Sequence, residues 1–195
     1  MKKFLLGAAV SVAMLGGGAA KAAITLLNGK VLVTPANTYE IYLSGSSTVV
    51  GFIENLITNP FVPLSDRLCD IIPGNNNNKP IYKFQDNGNG TDQNAYYCSL
   101  NTLNPQLVGL AAGKTELLIY KRSVNGSVTG VAPIIADAKA PANPAAGAIE
   151  FLRIDNPALC TAPPTTGAVR VSTCTYSPTT PGQFQLKKPD FGISD

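Results

Sequence analysis

A run of small hydroxyl residues follows the first alternating segment of the chain, and residues of this kind can bind an anion. Gly45, Ser46, Ser47 and Thr48 stand between the strand-like segment 39–43 and an apolar segment with helical spacing. The first N–H groups of a helix lack intrahelical partners and carry the positive end of its dipole, so they and the hydroxyls could surround one oxyanion. Ser46 or Ser47 could equally be an N-cap without any ligand.

A second hydroxyl-rich turn occurs later in the chain and repeats this pattern. The apolar segment 117–120 is followed by a turn that contains Ser123, Gly126 and Ser127, and then by a short apolar segment. Pro133 is favoured in the first turn of a helix, which predicts a second helix that begins near residue 131 or 132. Two turns of the same type favour anion binding over capping alone.

The sequence lacks the residue sets of common catalytic and metal sites. It has no His and no C-x-x-C, S-x-x-K or G-x-S-x-G pattern. Segment 108–115 is one residue too short for a Walker A motif, and Asp86 opens a calcium-like run without the required Glu at position twelve. We therefore predict a non-enzymatic domain with no metal and no cofactor. A secreted hydrolase that uses two carboxylates is an alternative.

The elements that would position the two turns are strands and helices of ordinary length. Segment 24–33 has the pattern of a hairpin around an Asn-Gly pair. The strand over 39–43 leads into a helix whose apolar residues, within 49–57, lie largely on one face. This order of strand, turn and helix predicts that the first hydroxyl turn lies at a helix N-terminus.

The rest of the chain combines irregular and strand-like segments. Residues 61–104 are rich in Asn, Gly and Pro and read as an insertion, with short strands near 81–84 and 95–100. Segments 148–154 and 169–176 alternate between apolar and polar residues, which predicts two strands paired as a hairpin.

The first residues have the pattern of an export signal. Lysines precede an apolar run over 4–15, and Ala-Lys-Ala at 20–22 fits a cleavage site. We expect residues 1–22 to be a signal peptide and 23–195 to be a periplasmic or secreted domain. The apolar run is shorter than the ~20 residues that span a bilayer, so no membrane insertion is expected after cleavage.

Composition excludes several classes of partner. Without the three lysines of the signal, Lys+Arg falls from 15 to 12 against 12 Asp+Glu, so the net charge of +3 becomes zero. A neutral chain offers no electrostatic attraction to nucleic acid or to an anionic membrane. A hydrophobic fraction of 45% with 14% charged residues favours a packed domain over disorder.

Four cysteines in an exported chain predict two structural disulfides. Chain order favours Cys69 with Cys98 and Cys160 with Cys174, although three connectivities are open. Either bridge would stabilise the fold by roughly 3 to 4 kcal/mol through loop entropy.

Three short segments together resemble the ligand loops of a known family. They are GSST at 45–48, S-V-N-G-S-V-T-G at 123–130 and D-F-G-I-S-D at 190–195. In this order they are similar to three loops in the N-terminal lobe of the phosphate-binding proteins that serve ABC transporters, which are type 2 periplasmic binding proteins.

The resemblance implies both a fold and a partner. The fold would be α/β, a single lobe of a type 2 periplasmic-binding-protein-like fold with a mixed sheet and disulfide-stapled β insertions. The family continues beyond this motif into a second lobe, so 23–195 would be an incomplete N-terminal lobe. A membrane component of an ABC transporter would be its protein partner.

The resemblance also implies a ligand, phosphate or a similar small oxyanion, bound without catalysis. Asp195 would accept the hydrogen of monohydrogen phosphate, which sulfate does not carry, so phosphate would be preferred. The implied ligand-binding residues are Gly45, Ser46, Ser47, Thr48, Ser123, Gly126, Ser127, Ser194 and Asp195. Arg122 follows the second strand and could neutralise the anion, or alternation could turn it outward.

An extracellular structural or adhesive protein is the alternative from another class. In that case the Gly/Ser turns are only turns, and the Asn-, Thr- and Pro-rich insertions form a contact surface. Low charge suits this role, and no small-molecule ligand is then expected.

Overall fold

The computed structural model describes residues 24–58, 61–63, 65–70, 79–88, 92–101, 103–108 and 113–194. The predicted signal peptide lies outside these residues. The strands are β1 (Leu26–Leu27), β2 (Lys30–Val31), β3 (Thr38–Gly45), β4 (Ile81–Asp86), β5 (Gln93–Ser99), β6 (Glu116–Arg122), β7 (Ile149–Leu152), β8 (Val169–Cys174), β9 (Phe184–Lys187) and β10 (Phe191–Ile193). The helices are α1 (Thr48–Thr58), α2 (Pro105–Val108) and α3 (Val128–Lys139).

A six-stranded mixed sheet organises the chain, with strand order β10-β3-β6-β5-β4-β8. β10, β3 and β6 are parallel to one another, β5 is antiparallel to both β6 and β4, and β8 is parallel to β4. The prediction of a mixed α/β arrangement with few helices is confirmed. The insertion between α1 and β6 supplies β4 and β5, which extend the sheet beside β6.

The helices that follow β3 and β6 pack on opposite faces of the sheet. α1 buries Ile53 and Ile57 against Leu117 and Ile119 of β6. α3 packs against β3 and β10. Gly192 of β10 is in register with Ser44 and faces Gly130 of α3, so α3 lies on the face that also carries Tyr42, opposite α1. The turns after β3 and β6 therefore leave the sheet toward different faces.

The face opposite α1 carries an aromatic cluster. The rings of Tyr42 and Tyr120 stack with centroids 4.7 Å apart, and the Phe151 ring meets Tyr42 edge-on at 5.1 Å. Phe151 lies on β7, which pairs with β9 in a separate two-stranded sheet. This small sheet thus covers the central strands β3 and β6.

Local predictions agree with the structure better than the pairing of distant strands. β1 and β2 form the predicted hairpin, with Asn28 at φ 51° in its turn, and α1 spans the predicted helix. The predicted hairpin of 148–154 with 169–176 is wrong, because β7 pairs with β9 and β8 pairs with β4. Alternation identifies a strand but does not specify its partner.

The second helix also begins earlier than predicted. α3 starts at Val128, so Pro133 lies inside the helix and not in its first turn. Asn125 and Gly126 adopt left-handed conformations with φ 63° and 64°, which complete the turn and let the helix start directly after Ser127.

Candidate functional site

The turns predicted to bind a ligand all follow parallel strands, and they meet at one edge of the sheet. Gly45 at the end of β3 is in register with Ile193 of β10, and Ser44 is in register with Arg122 of β6. Parallel strands end at the same edge, so the first turn (residues 46–48), the second turn (123–127) and Ser194 are neighbours. We call this arrangement the cradle.

The first turn is tied to the third by the backbone and is organised by its own hydroxyls. The Ser46 N–H donates to the Ile193 carbonyl at 3.0 Å. Ser46 Oγ lies 2.7 Å from Thr48 Oγ1 and accepts the Thr48 N–H at 3.2 Å. The capping interpretation thus holds in part for Ser46, which is buried, whereas Ser47 and Thr48 are exposed. Two hydroxyls that share one mutual bond leave one hydroxyl hydrogen for another acceptor.

The second turn brings one buried and one accessible hydroxyl to the cradle. Ser123 is 5% exposed. Ser127 is the N-cap residue of α3, but its side chain makes no capping hydrogen bond. The Gly126 N–H closes the turn by donating to the Ser123 carbonyl at 3.2 Å. The Ser127 hydroxyl is therefore not committed to its own helix.

The third turn continues from β10 and faces the start of α3. Ser194 is exposed, and Asp195 lies outside the described residues. A groove of about 400 Å³ is lined by Ser127, Val128, Val131, Ala132, Ile135 and Ser194. Ser127 and Ser194 thus share one groove whose walls are largely apolar. Residues 46–48 of the first turn do not line this groove.

A buried lysine that sequence analysis did not single out lies beneath the cradle. Lys121 on β6 is 0% exposed. Its Nζ donates to the Gly45 carbonyl at 2.8 Å, to the Ser123 hydroxyl at 3.0 Å and to the Arg122 carbonyl at 3.0 Å. Burial, and then the neighbouring Arg122 charge, lower the pKa of Lys121 to about 8. Within the described ranges, no salt bridge pairs Lys121 with a carboxylate.

Arg122 points to the opposite face of β6, as strand alternation requires. One guanidinium nitrogen lies 3.5 Å from a carboxylate oxygen of Glu150, and another lies 3.4 Å from the Val124 carbonyl oxygen. Arg122 therefore pairs with a carboxylate on the face that carries β7. The cation next to the first turn is Lys121.

The other candidate sites weighed from the sequence have structural explanations. The Asp86 carboxylate accepts the N–H groups of Gly88 and Gln93, each at 2.9 Å, as expected for a turn. Lys114 of the Walker-like segment donates to the Thr38 carbonyl at 2.7 Å, while 109–112 lie outside the described residues. In the part of the chain that the structure describes, no three potential metal-ligating side chains cluster together.

A second concavity lies at the opposite edge of the sheet, where β3 begins. Its volume is about 450 Å³, and its lining includes Glu40, Lys114, Asp155 and Lys187. Two carboxylates and two ammonium groups share this surface, which gives a small anion no clear electrostatic preference for it. The cradle is the more selective candidate.

Both predicted disulfides are present, as Cys69–Cys98 and Cys160–Cys174. The first lies within the insertion and joins the loop after α1 to β5, and the second fixes the end of β8 to the preceding loop. Disulfides are typical of proteins that mature outside the reducing cytosol. None of the helices described here is both long enough and apolar enough to cross a bilayer.

Comparison with known proteins identifies no relative, since no family model, curated protein or solved structure matches the chain.

Proposed function

We propose that this chain is an exported, non-catalytic binding domain that captures phosphate or a similar small oxyanion in the cradle. The observation that supports this most directly is the meeting of the three hydroxyl-bearing turns at the carboxyl edge of β10, β3 and β6. In open α/β sheets, ligands bind outside the carboxyl ends of the strands, where successive connections leave toward opposite faces. The turns after β3 and β6 diverge in this manner.

The electrostatics of the cradle also favour an anion. α1 and α3 both begin there, and the N-terminus of each helix carries positive partial charge and N–H groups without intrahelical partners. Lys121 adds a buried positive charge below the turns. A small anion would supply the negative charge that this arrangement favours.

The proposed fold relationship is to one lobe of a type 2 periplasmic binding protein. A central parallel trio of strands with helices on both faces supports this proposal, and the sequence segments at 45–48, 123–130 and 190–195 follow the order of the family's ligand loops. The domain would act in the periplasm or as a secreted protein, and an ABC transporter membrane component would be its partner. Asp195 would accept the hydrogen of monohydrogen phosphate.

Calorimetric titration of the chain 23–195 with phosphate and with sulfate tests the proposal. We expect measurable heat with phosphate and at least tenfold weaker binding of sulfate, since sulfate has no hydrogen for Asp195 to accept. An absence of heat and of any thermal shift at millimolar phosphate would refute the proposed function.

A pair of serine variants locates the site. Ser127→Ala removes a hydroxyl that makes no capping bond, so it should weaken phosphate binding about tenfold, the equivalent of one hydrogen bond, with little effect on stability. Ser65→Ala is the control, because its exposed hydroxyl contacts Asp66 in the loop after α1. Equal affinities of the two variants would place the ligand elsewhere.

Exposed apolar side chains near the cradle support a second candidate, the structural or adhesive protein. Val128 is 73% exposed, Phe191 60% and Ile135 45%. Exposed apolar side chains of this size suit contact with another macromolecule better than contact with water. If phosphate produces neither heat nor a thermal shift, this candidate is favoured.

A further inference from the structure

The first and second turns of the cradle follow different strands, β3 and β6. One side chain links the ends of these two strands. Lys121 reaches from β6 to the carbonyl of Gly45, the last residue of β3, and to the hydroxyl of Ser123 in the second turn. The contacts are 2.8 and 3.0 Å long, and the Lys121 side chain is fully buried. Burial of an ammonium group is costly because the charge loses its hydration. A lysine at this buried position is therefore a candidate for a functional role.

We propose that Lys121 is the positioning residue of the cradle, holding the first and second turns at a fixed separation and directing the Ser123 hydroxyl hydrogen toward the bound anion. This inference rests on the proposed function. It concerns a residue outside the segments that carry the family resemblance.

Hydrogen-bond accounting explains how Lys121 would act. An ammonium has three donors and no acceptor, and Lys121 contacts three acceptors, the carbonyls of Gly45 and Arg122 and the hydroxyl of Ser123. It therefore has no donor left for the anion. Ser123 Oγ receives one of these bonds, so its own hydrogen must point away from Lys121, which leaves it available to a ligand.

The positive charge of Lys121 should also attract the anion. The carboxylates on the neighbouring elements contact other groups. Glu54 of α1 contacts Lys83 at 3.0 Å, Asp137 of α3 contacts Lys188, and Asp190 before β10 accepts the Tyr42 N–H at 2.8 Å.

The charged group that acts on Lys121 in the ligand-free protein is Arg122, which further disfavours the ammonium form. A bound anion would favour that form and raise its pKa. Anion binding should therefore take up a proton when the solution pH exceeds the ligand-free pKa of Lys121, which is about 8. Affinity should then fall by up to about tenfold per pH unit above that value, because binding has to recharge the lysine.

The test combines two measurements on the chain 23–195 and its variants Lys121→Met and Lys121→Arg. Amide hydrogen exchange of the ligand-free protein reports how firmly segments 45–48 and 123–130 are held. Calorimetry with inorganic phosphate between pH 8 and pH 10 reports affinity in a range where the ligand is mainly the dianion. Lys83→Met is the control, since it removes a lysine on β4 that is partly buried and lies outside the cradle.

We expect Lys121→Met to speed exchange in both segments at least tenfold, to weaken phosphate binding at least tenfold at pH 8, and to abolish the decline of affinity with pH. Lys121→Arg should retain more affinity at pH 10 than the wild type, because guanidinium stays charged. Lys83→Met should behave as the wild type in all three respects.

Unchanged exchange in Lys121→Met, or a wild-type affinity that is constant from pH 8 to pH 10, would overturn the inference. The wild-type pH profile decides this even if a variant fails to fold. If the wild type gives no heat with phosphate at any pH, the proposed function fails by itself, and the exchange comparison still decides whether Lys121 holds the turns.

Discussion

Gly192 on β10 lies against Gly130 on α3 so closely that a β-carbon at position 192 would stand 1.6 Å from the Gly130 carbonyl oxygen. The reciprocal β-carbon, on Gly130, would stand 2.2 Å from the carbonyl oxygen of Ile193. Helix and edge strand therefore meet backbone to backbone. This contact keeps the start of α3 next to the end of β10, and with it Ser127 next to Ser194.

Replacement of Gly192 by Ala should destabilise the protein by about 3 kcal/mol or more, because the new methyl group meets backbone atoms that cannot move aside. The free energy of unfolding in urea measures this. Gly51→Ala is the matched control, since a β-carbon there has open space on α1, and it should stabilise the protein by roughly 0.5 to 1 kcal/mol. Equal stabilities of the two variants would contradict the close contact.

Asp190 should control how firmly β10 is attached to β3. Its carboxylate accepts the Tyr42 N–H at 2.8 Å, and its own N–H donates to the Tyr42 carbonyl at 2.8 Å. Asp190→Ala should reduce the free energy of unfolding by about 1 kcal/mol and speed amide exchange at Ser46, whose N–H bonds to Ile193. Asp190→Asn keeps a side-chain acceptor and should reduce the free energy of unfolding less. If both variants were destabilised equally, the bond between the Tyr42 N–H and the Asp190 side chain would not contribute to stability.

The two disulfides should differ modestly in their contribution to stability. Cys69–Cys98 closes a loop of sequence separation 29, and Cys160–Cys174 one of 14. Loop entropy gives about 3.6 and about 3 kcal/mol, so removal of the first bridge should be more destabilising by roughly 0.6 kcal/mol. Paired Cys→Ala variants, compared by urea unfolding, measure the difference. The reverse order would show that local packing outweighs loop entropy.

Stability should rise and then fall as the pH increases from 8 to 11. The pKa of Lys121 is lowered to about 8, so above that pH the unfolded chain binds more protons and stability increases, by up to about 1.4 kcal/mol per pH unit until the usual lysine pKa is reached. Burial raises the pKa values of Tyr42, Tyr96, Tyr97 and Tyr120 far above that of free tyrosine, which is 10.0.

These tyrosines oppose the lysine effect. Unfolding lets them ionise, so their contribution to stability is complete below pH 10 and is lost above it. Urea midpoints across this range should pass through a maximum near pH 10. Lys121→Met should show only the decline, and a wild-type midpoint that falls steadily from pH 8 would contradict the lowered lysine pKa.

The parts of the site that depend on local sequence could be predicted. The strand before Gly45 and the helix after Ser46 follow from alternation and helical spacing, and the turn at Ser123 follows from its small residues. Both cysteine pairs could be predicted from chain order, and the structure confirms them. These inferences depend on neighbours in the sequence, where spacing carries the information.

The parts of the fold and site that depend on contacts between distant residues could not be predicted from the sequence. β6 is buried along its whole length, so its residues show no alternation that would assign Lys121 and Arg122 to opposite faces. β7 and β8 look alike as isolated strands, yet one pairs with β9 and the other with β4. Only the fold determines which strand each one meets.

The insertion that adds β4 and β5 should also influence the order in which the sheet assembles. β4 and β5 pair across a short connection, whereas the Thr38 hydroxyl reaches Glu116 across 78 residues and Tyr42 meets Asp190 across 148. Contacts between distant residues form slowly, because long loops must close before any stabilisation is gained. The antiparallel pair should therefore nucleate folding, and β10 should be the last strand of the sheet to join it.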